Sequence, residues 1–138
     1  MDALAQLLKL LGGRDKTRAQ AAEALRRRGH PDEAVEAALD RAGALGYLDD
    51  QRVARRLALD ALRDGWTGEA LVAKLGGRGV DEALARRALD EAVEALSWSE
   101  PEAAREVVAR RRLTGARAAR FLLSRGFSED VSARFWNR

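Results

Sequence analysis

Leu4, Leu7, Leu8 and Leu11 lie three and four residues apart, the spacing that lines one face of a helix, while Asp2 and Lys9 fall on the opposite side. No apolar run approaches the ~18 residues that a membrane span requires. Short helical stretches are instead punctuated by glycine, and the punctuation recurs. Thr17, Thr67 and Thr114 are each followed eight residues later by a leucine (Leu25, Leu75, Leu122). Eleven and twelve residues after each threonine stands Arg-Gly: Arg28-Gly29, Arg78-Gly79 and Arg125-Gly126. The copies are 50 and then 47 residues apart, and self-similarity at such a period marks a helical array.

Each position calls for its residue type. Threonine at a helix start predicts an N-cap whose hydroxyl accepts an orphan backbone N–H, and Thr17 with Gln20 has capping-box spacing. The leucine faces the core. Gly29, Gly79 and Gly126 stand where a helix must end in a left-handed residue, which costs a side chain with Cβ roughly 1 kcal/mol or more. The following helix opens on acidic residues in every copy, Asp32-Glu33, Asp81-Glu82 and Glu129-Asp130, with Pro31 at a first-turn position in the first. A further helix is predicted before each pair: Asp2 to Leu11, Asp49 to Arg63, and Glu100 to Arg112, the last announced by Ser99-Glu100-Pro101-Glu102. Turn residues mark the links at Gly12-Gly13, Gly46-Tyr47, Gly65-Trp66, Ser97 to Pro101 and Gly115. The expected fold is all-α: three tandem three-helix repeats, residues 1–46, 47–98 and 99–138, forming an elongated, curved, solenoid-like array.

Composition agrees, since Ala, Leu, Arg and Glu dominate and only two prolines occur. The absence of cysteine excludes disulfides, thiolate metal ligands and cysteine nucleophiles. His30 is the one histidine and has no recognisable nucleophile turn to serve. Gly76-Gly77-Arg78-Gly79 falls at a helix end rather than after a strand, and reads as a cap, not a phosphate cradle. Asp49-Asp50 reads as a helix start rather than a metal site. The expectation is a protein that is not an enzyme, with no catalytic residues, metal or cofactor. Met1 to Leu11 is unlike an export signal, which points to a cytoplasmic protein, and a monomer is expected.

Charge adds a polarity. Residues 1–48 carry 8 basic and 7 acidic groups, residues 49–98 carry 8 and 10, and residues 99–138 carry 9 and 5, so the excess sits in the last repeat. There Arg110, Arg111, Arg112, Arg117 and Arg120 form a basic cluster beside Phe121, a candidate surface for a partner or for weak non-specific DNA contact. Arg52, Arg55 and Arg56 are further candidates. A helix-turn-helix DNA reader fits poorly, because the second helix of each pair starts with acidic residues that would meet phosphates. The aromatics Tyr47, Trp66, Trp98, Phe121, Phe127, Phe135 and Trp136 lie beside turns or in apolar spacing and read as core plugs.

Residues 46–54, Gly-Tyr-Leu-Asp-Asp-Gln-Arg-Val-Ala, resemble the signature stretch of the RecX family, in which Gly46, Tyr47, Leu48, Asp49, Asp50 and Arg52 carry the likeness. The Thr-to-Arg-Gly repeats and the Arg125-Gly126-Phe127-Ser128 ending also resemble that family's three repeats. The likeness is lowest in the first repeat, at Arg14 to Ala21 and at His30, where the family usually has Phe. The resemblance implies a regulator of the RecA recombinase in homologous recombination and DNA repair. Such a regulator lies in the groove of the RecA nucleoprotein filament and lowers filament growth, ATP turnover and strand exchange. The alternatives from the residues alone are a helical-repeat scaffold for another protein and a non-specific DNA-binding protein.

Overall fold

The computed structural model describes residues 1–13 and 15–138; Arg14, where the departure in the first repeat begins, lies outside the described residues. Those residues form nine α-helices: α1 (Ala3–Leu11), α2 (Arg18–Arg27), α3 (Asp32–Ala44), α4 (Asp50–Arg63), α5 (Gly68–Gly76), α6 (Glu82–Ala95), α7 (Glu100–Arg110), α8 (Gly115–Ser124) and α9 (Glu129–Ala133). The extensive helix contacts all fall within consecutive triplets, α1–α3, α4–α6 and α7–α9. Each triplet has its own apolar centre. Leu7, Leu25, Val35 and Leu39 fill the first, Leu71, Leu75 and Val80 the second, and Val107, Leu122, Phe127 and Val131 the third. Small side chains allow close helix approach in the second unit, where Ala54, Ala58 and Ala61 of α4 and Ala85, Ala88 and Ala92 of α6 are buried in one core. A compact monomer of this mass would expose roughly 7,100 Å². This chain exposes 8226 Å², as an elongated row of small units must.

The three Arg-Gly turns end their helices alike. Gly29, Gly79 and Gly126 take φ of +88°, +88° and +95°. The amide of the following residue donates to the carbonyl of the repeat leucine: His30 to Leu25, Val80 to Leu75, Phe127 to Leu122. That six-residue closure is the Schellman cap. The same closure ends α6 and α7, but there the left-handed residues are Ser97 (φ 48°) and Arg112 (φ 56°), so α7 stops at Arg110 rather than running to Arg112.

The threonines depart from expectation. Thr17 caps α2 through a full capping box with Gln20, whereas Thr67 and Thr114 make no side-chain cap bond. Ser99 makes none either, Pro31 is the N-cap of α3 rather than a first-turn residue, and Gly115 is the first residue of α8 rather than a link. The threonine's common task is between units. Thr17 Oγ1 donates to the Arg78 carbonyl at 2.6 Å, and the Thr67 amide donates to the Arg125 carbonyl at 2.9 Å. In both cases the threonine of one unit meets the Arg-Gly turn of the next. Gly68 and Gly126 let backbones meet at the second of these joints: a Cβ on Gly68 would lie 2.6 Å from the Gly126 carbonyl oxygen.

Candidate interaction surface

The six signature residues form the turn between α3 and α4 and its anchorage. Gly46 is left-handed (φ 82°), and Leu48 is buried in the first core. Asp49 caps α4 by accepting from the amides of Gln51 and Arg52. Asp50 reaches across to accept the Arg18 amide at 2.8 Å, tying the first unit to the second. Arg52 donates to the Gly46 carbonyl and pairs with Asp15 at 3.8 Å. Tyr47 is 56% exposed, so it is no core plug. Trp136 is likewise half exposed, while Phe127 and Phe135 are buried as expected.

The arginines separate into two populations. All nine ion pairs among the described residues lie in the first two units. Arg18 is held by Glu36 and Asp40, both at 2.8 Å, which raises its pKa chiefly through the bond to Asp40. Arg86 forks onto Glu69 at 2.7 and 2.8 Å and also reaches Glu82; the Glu69 carboxyl is correspondingly depressed by its bond to Arg86. Of the candidates on α4, Arg52 and Arg55 are engaged this way, the latter with Glu91 at 3.3 Å, and Arg56 has no such partner among the described residues.

In the third unit no arginine pairs with a carboxylate among the described residues; these guanidinium groups face aromatic rings or solvent instead. Arg110, Arg111 and Arg112 cluster at the end of α7, and Arg117 and Arg120 stand three residues apart on α8; all five are exposed. Arg111 lies 4.8 Å from the Phe121 ring and Arg120 5.6 Å from Trp136. Arg125 lies between Trp66 (4.0 Å) and Phe121 (4.7 Å), with Lys74 near Trp66 on the other unit (4.6 Å). Burial pushes the Arg125 pKa down, and the Arg111 charge adds to this, so a partly desolvated cation sits at the second joint. Cation–π contacts of this kind are worth about 0.5–2 kcal/mol each. Charge counting foresaw the basic excess of this unit; it could not foresee which arginines lack carboxylates, because those pairings depend on tertiary contact.

Arg112 occupies a conformation that its repeat counterpart fills with glycine, Gly65 at φ 91°. That conformation is costly for a residue with Cβ, and replacing Arg112 by Gly is expected to stabilise the chain by roughly 0.5–1 kcal/mol in urea unfolding. An unchanged or lower midpoint would mean that the Arg112 side chain makes a compensating contact in solution.

Three-helix units in a row, with an exposed cationic surface at one end, define a helical-repeat protein. The sequence comparisons name its family. The model described as "RecX, first three-helix domain" matches residues 3–41, so the first repeat, where the short motif departs most, carries the family likeness as well. The regulatory protein RecX of Streptomyces coelicolor is 36% identical over 143 residues, covering 96% of this chain and 74% of its own length. That of Thermobifida fusca is 43% identical over 117 residues and covers 83% of this chain; the chain spans 60% of its length. A crystal structure of RecX from Lactobacillus salivarius superposes with a TM-score of 0.70 at 19% identity, over 96% of this chain and 91% of that one, and shares the fold. The chain belongs to the RecX family of regulatory proteins. No helix among its described residues is long and apolar enough to cross a membrane.

Proposed function

We propose that the chain regulates the RecA recombinase by lying in the groove of the RecA–DNA filament and slowing filament growth, ATP hydrolysis and strand exchange. Family membership supports RecA as the partner. The single structural observation that supports the mode is the cluster of arginines without carboxylate partners in the third unit, set at one end of an elongated row of units. Such a row can follow a helical groove and contact several repeated surfaces, and its unneutralised end suits phosphates or acidic protein surface. Units 1–46, 47–98 and 99–138 are proposed as the contacting modules, acting as one monomer in the cytoplasm. Arg110, Arg111, Arg112, Arg117 and Arg120 are the proposed primary contacts, with Arg56 secondary; Arg52 and Arg55 are already engaged within the fold.

The test is RecA ATP hydrolysis on single-stranded DNA. Substoichiometric chain is expected to lower the steady-state rate several-fold and to hydrolyse no ATP alone. An unchanged rate at excess chain would remove this reading. The same cationic cluster also favours a second reading, non-specific DNA binding. Affinity for bare DNA equal to that for the filament at moderate salt would select it.

A further inference from the structure

Asp60 and Asp64 stand four residues apart at the end of α4, on one face of it, and line one side of a groove of about 600 Å³. Lys74, in the last turn of α5, and Arg78, in the turn that follows, line the other side. Leu57 and the buried Leu75 supply the apolar lining. The groove lies in the middle unit, beside both joints. The Arg78 carbonyl accepts from Thr17 of the first unit, and Lys74 sits 4.6 Å from the Trp66 ring, on which Arg125 of the third unit stacks.

The acidic wall works against its own helix. Carboxylates four residues apart repel each other, and at a helix C-terminus they also meet the negative end of the helix dipole. Neither cost is relieved within the chain. Nine ion pairs form among the described residues, all in the first two units, yet none includes Asp60, Asp64, Lys74 or Arg78. Arg125 feels the Asp64 charge from across the second joint without pairing with it. The groove therefore keeps two acids and two bases apart on either side of an apolar strip. An occupant of one charge sign would be attracted by one wall and repelled by the other, and phosphates would be repelled by Asp60 and Asp64. A protein segment that carries a basic and an acidic side chain flanking an apolar one complements both walls at once.

We propose that this groove docks such a segment from the protein surface of the RecA–DNA filament, its basic group against Asp60 and Asp64, its acidic group against Lys74 and Arg78, and its apolar side chain against Leu57 and Leu75. This rests on the filament-binding reading above and gives the middle unit a contact with protein rather than with DNA.

The test measures binding of the full chain to RecA filament on single-stranded DNA and to the bare oligonucleotide. Three forms are compared: the unaltered chain, Asp60→Asn with Asp64→Asn, and Lys74→Gln with Arg78→Gln. Both variants are expected to lose filament affinity several-fold, although the first makes the chain more positive and the second less. On the bare oligonucleotide they should diverge, the first binding as well as the unaltered chain or better, the second no better. A partner drawn by net charge alone cannot weaken with both. Filament affinity that is unchanged or raised in either variant overturns the proposal, and a rise in the first that parallels the bare oligonucleotide assigns the groove to nucleic acid. An unaltered chain that fails to bind the filament removes RecA as the partner, and the proposal with it. Urea unfolding keeps fold and binding apart: loss of the two carboxylates should leave the midpoint unchanged or raise it. Should Arg78→Gln disturb the joint beside it, Lys74→Gln alone serves as the variant of the basic wall.

Discussion

Alanine at Gly126 is expected to destabilise the chain by about 3 kcal/mol and alanine at Gly79 by about 2–3 kcal/mol, against about 1 kcal/mol at Gly29. The three glycines have nearly the same φ and the same Schellman hydrogen bonds, so the backbone cost of adding Cβ is common to all. The difference lies in what the methyl meets. At Gly29 it enters open space. At Gly79 it lies 2.7 Å from the Ala19 methyl and 2.8 Å from Thr17 Oγ1. At Gly126 it overlaps the Thr67 carbonyl and approaches Ala70 at 3.1 Å. The least costly relief is to open the joint, which breaks the threonine bond to the preceding arginine's carbonyl, about 1 kcal/mol, and at Gly126 also the stacking of Arg125 on Trp66. Opening a joint in a linear array also uncouples its units. Urea unfolding of the Gly79 and Gly126 variants should therefore be broader as well as earlier, and Trp66 fluorescence should change before helix content in the Gly126 variant. Equal losses of about 1 kcal/mol at all three positions would show that the units do not meet through these turns in solution.

The same comparison separates what was legible in the sequence from what was not. Helix ends at Gly29, Gly79 and Gly126 were readable because a left-handed terminal residue is a local requirement. The threonines were misassigned for a local reason too: threonine at a helix start ordinarily caps, and Thr17 does. At Thr67 and Thr114 the next residue is glycine, a poor choice for a first helical turn unless another backbone approaches closely. At Thr67 that glycine was the overlooked signal for the second joint, where a Cβ on Gly68 would lie 2.6 Å from the Gly126 carbonyl oxygen. Ser97 and Arg112 left no trace of their left-handed conformation, since nothing local favours it there. The basic excess of the last repeat was readable by counting. The engagement of Arg18, Arg52, Arg55 and Arg86 with Glu36, Asp40, Asp15, Glu91 and Glu69 was not, because those carboxylates lie 17 to 37 residues away in sequence, on other helices or loops; the Arg86–Glu82 pair, four residues apart on α6, is the local exception.

Replacing Arg110, Arg111, Arg117 and Arg120 together by Gln is expected to weaken filament binding by well over tenfold at physiological salt. The salt dependence of binding should flatten by about one unit of slope for each phosphate that the variant no longer touches. Folding should lose only about 1–2 kcal/mol, from the cation–π contacts of Arg111 with Phe121 and Arg120 with Trp136, because these side chains are exposed and form no ion pair among the described residues, and urea unfolding reads that loss separately from binding. The control replaces Arg18, Arg26 and Arg27 of the first unit by Gln, three charges against four. Those guanidinium groups are already neutralised, Arg18 by Glu36 and Asp40, Arg26 by Asp32 and Glu36, and Arg27 by Glu23. Removing them leaves carboxylates unpaired on the first unit, so the net charge change is the same per residue while the local field differs. A ligand drawn by net charge alone would respond to each set in proportion to the charges removed, four against three, since long-range attraction counts every charge within a Debye length. A ligand in direct contact with free guanidinium groups would respond chiefly to the third-unit set. Filament binding measured at two salt concentrations for both variants decides between them, and equal losses, or a larger loss from the first unit, would mean that contact is spread along the whole array rather than concentrated at its cationic end.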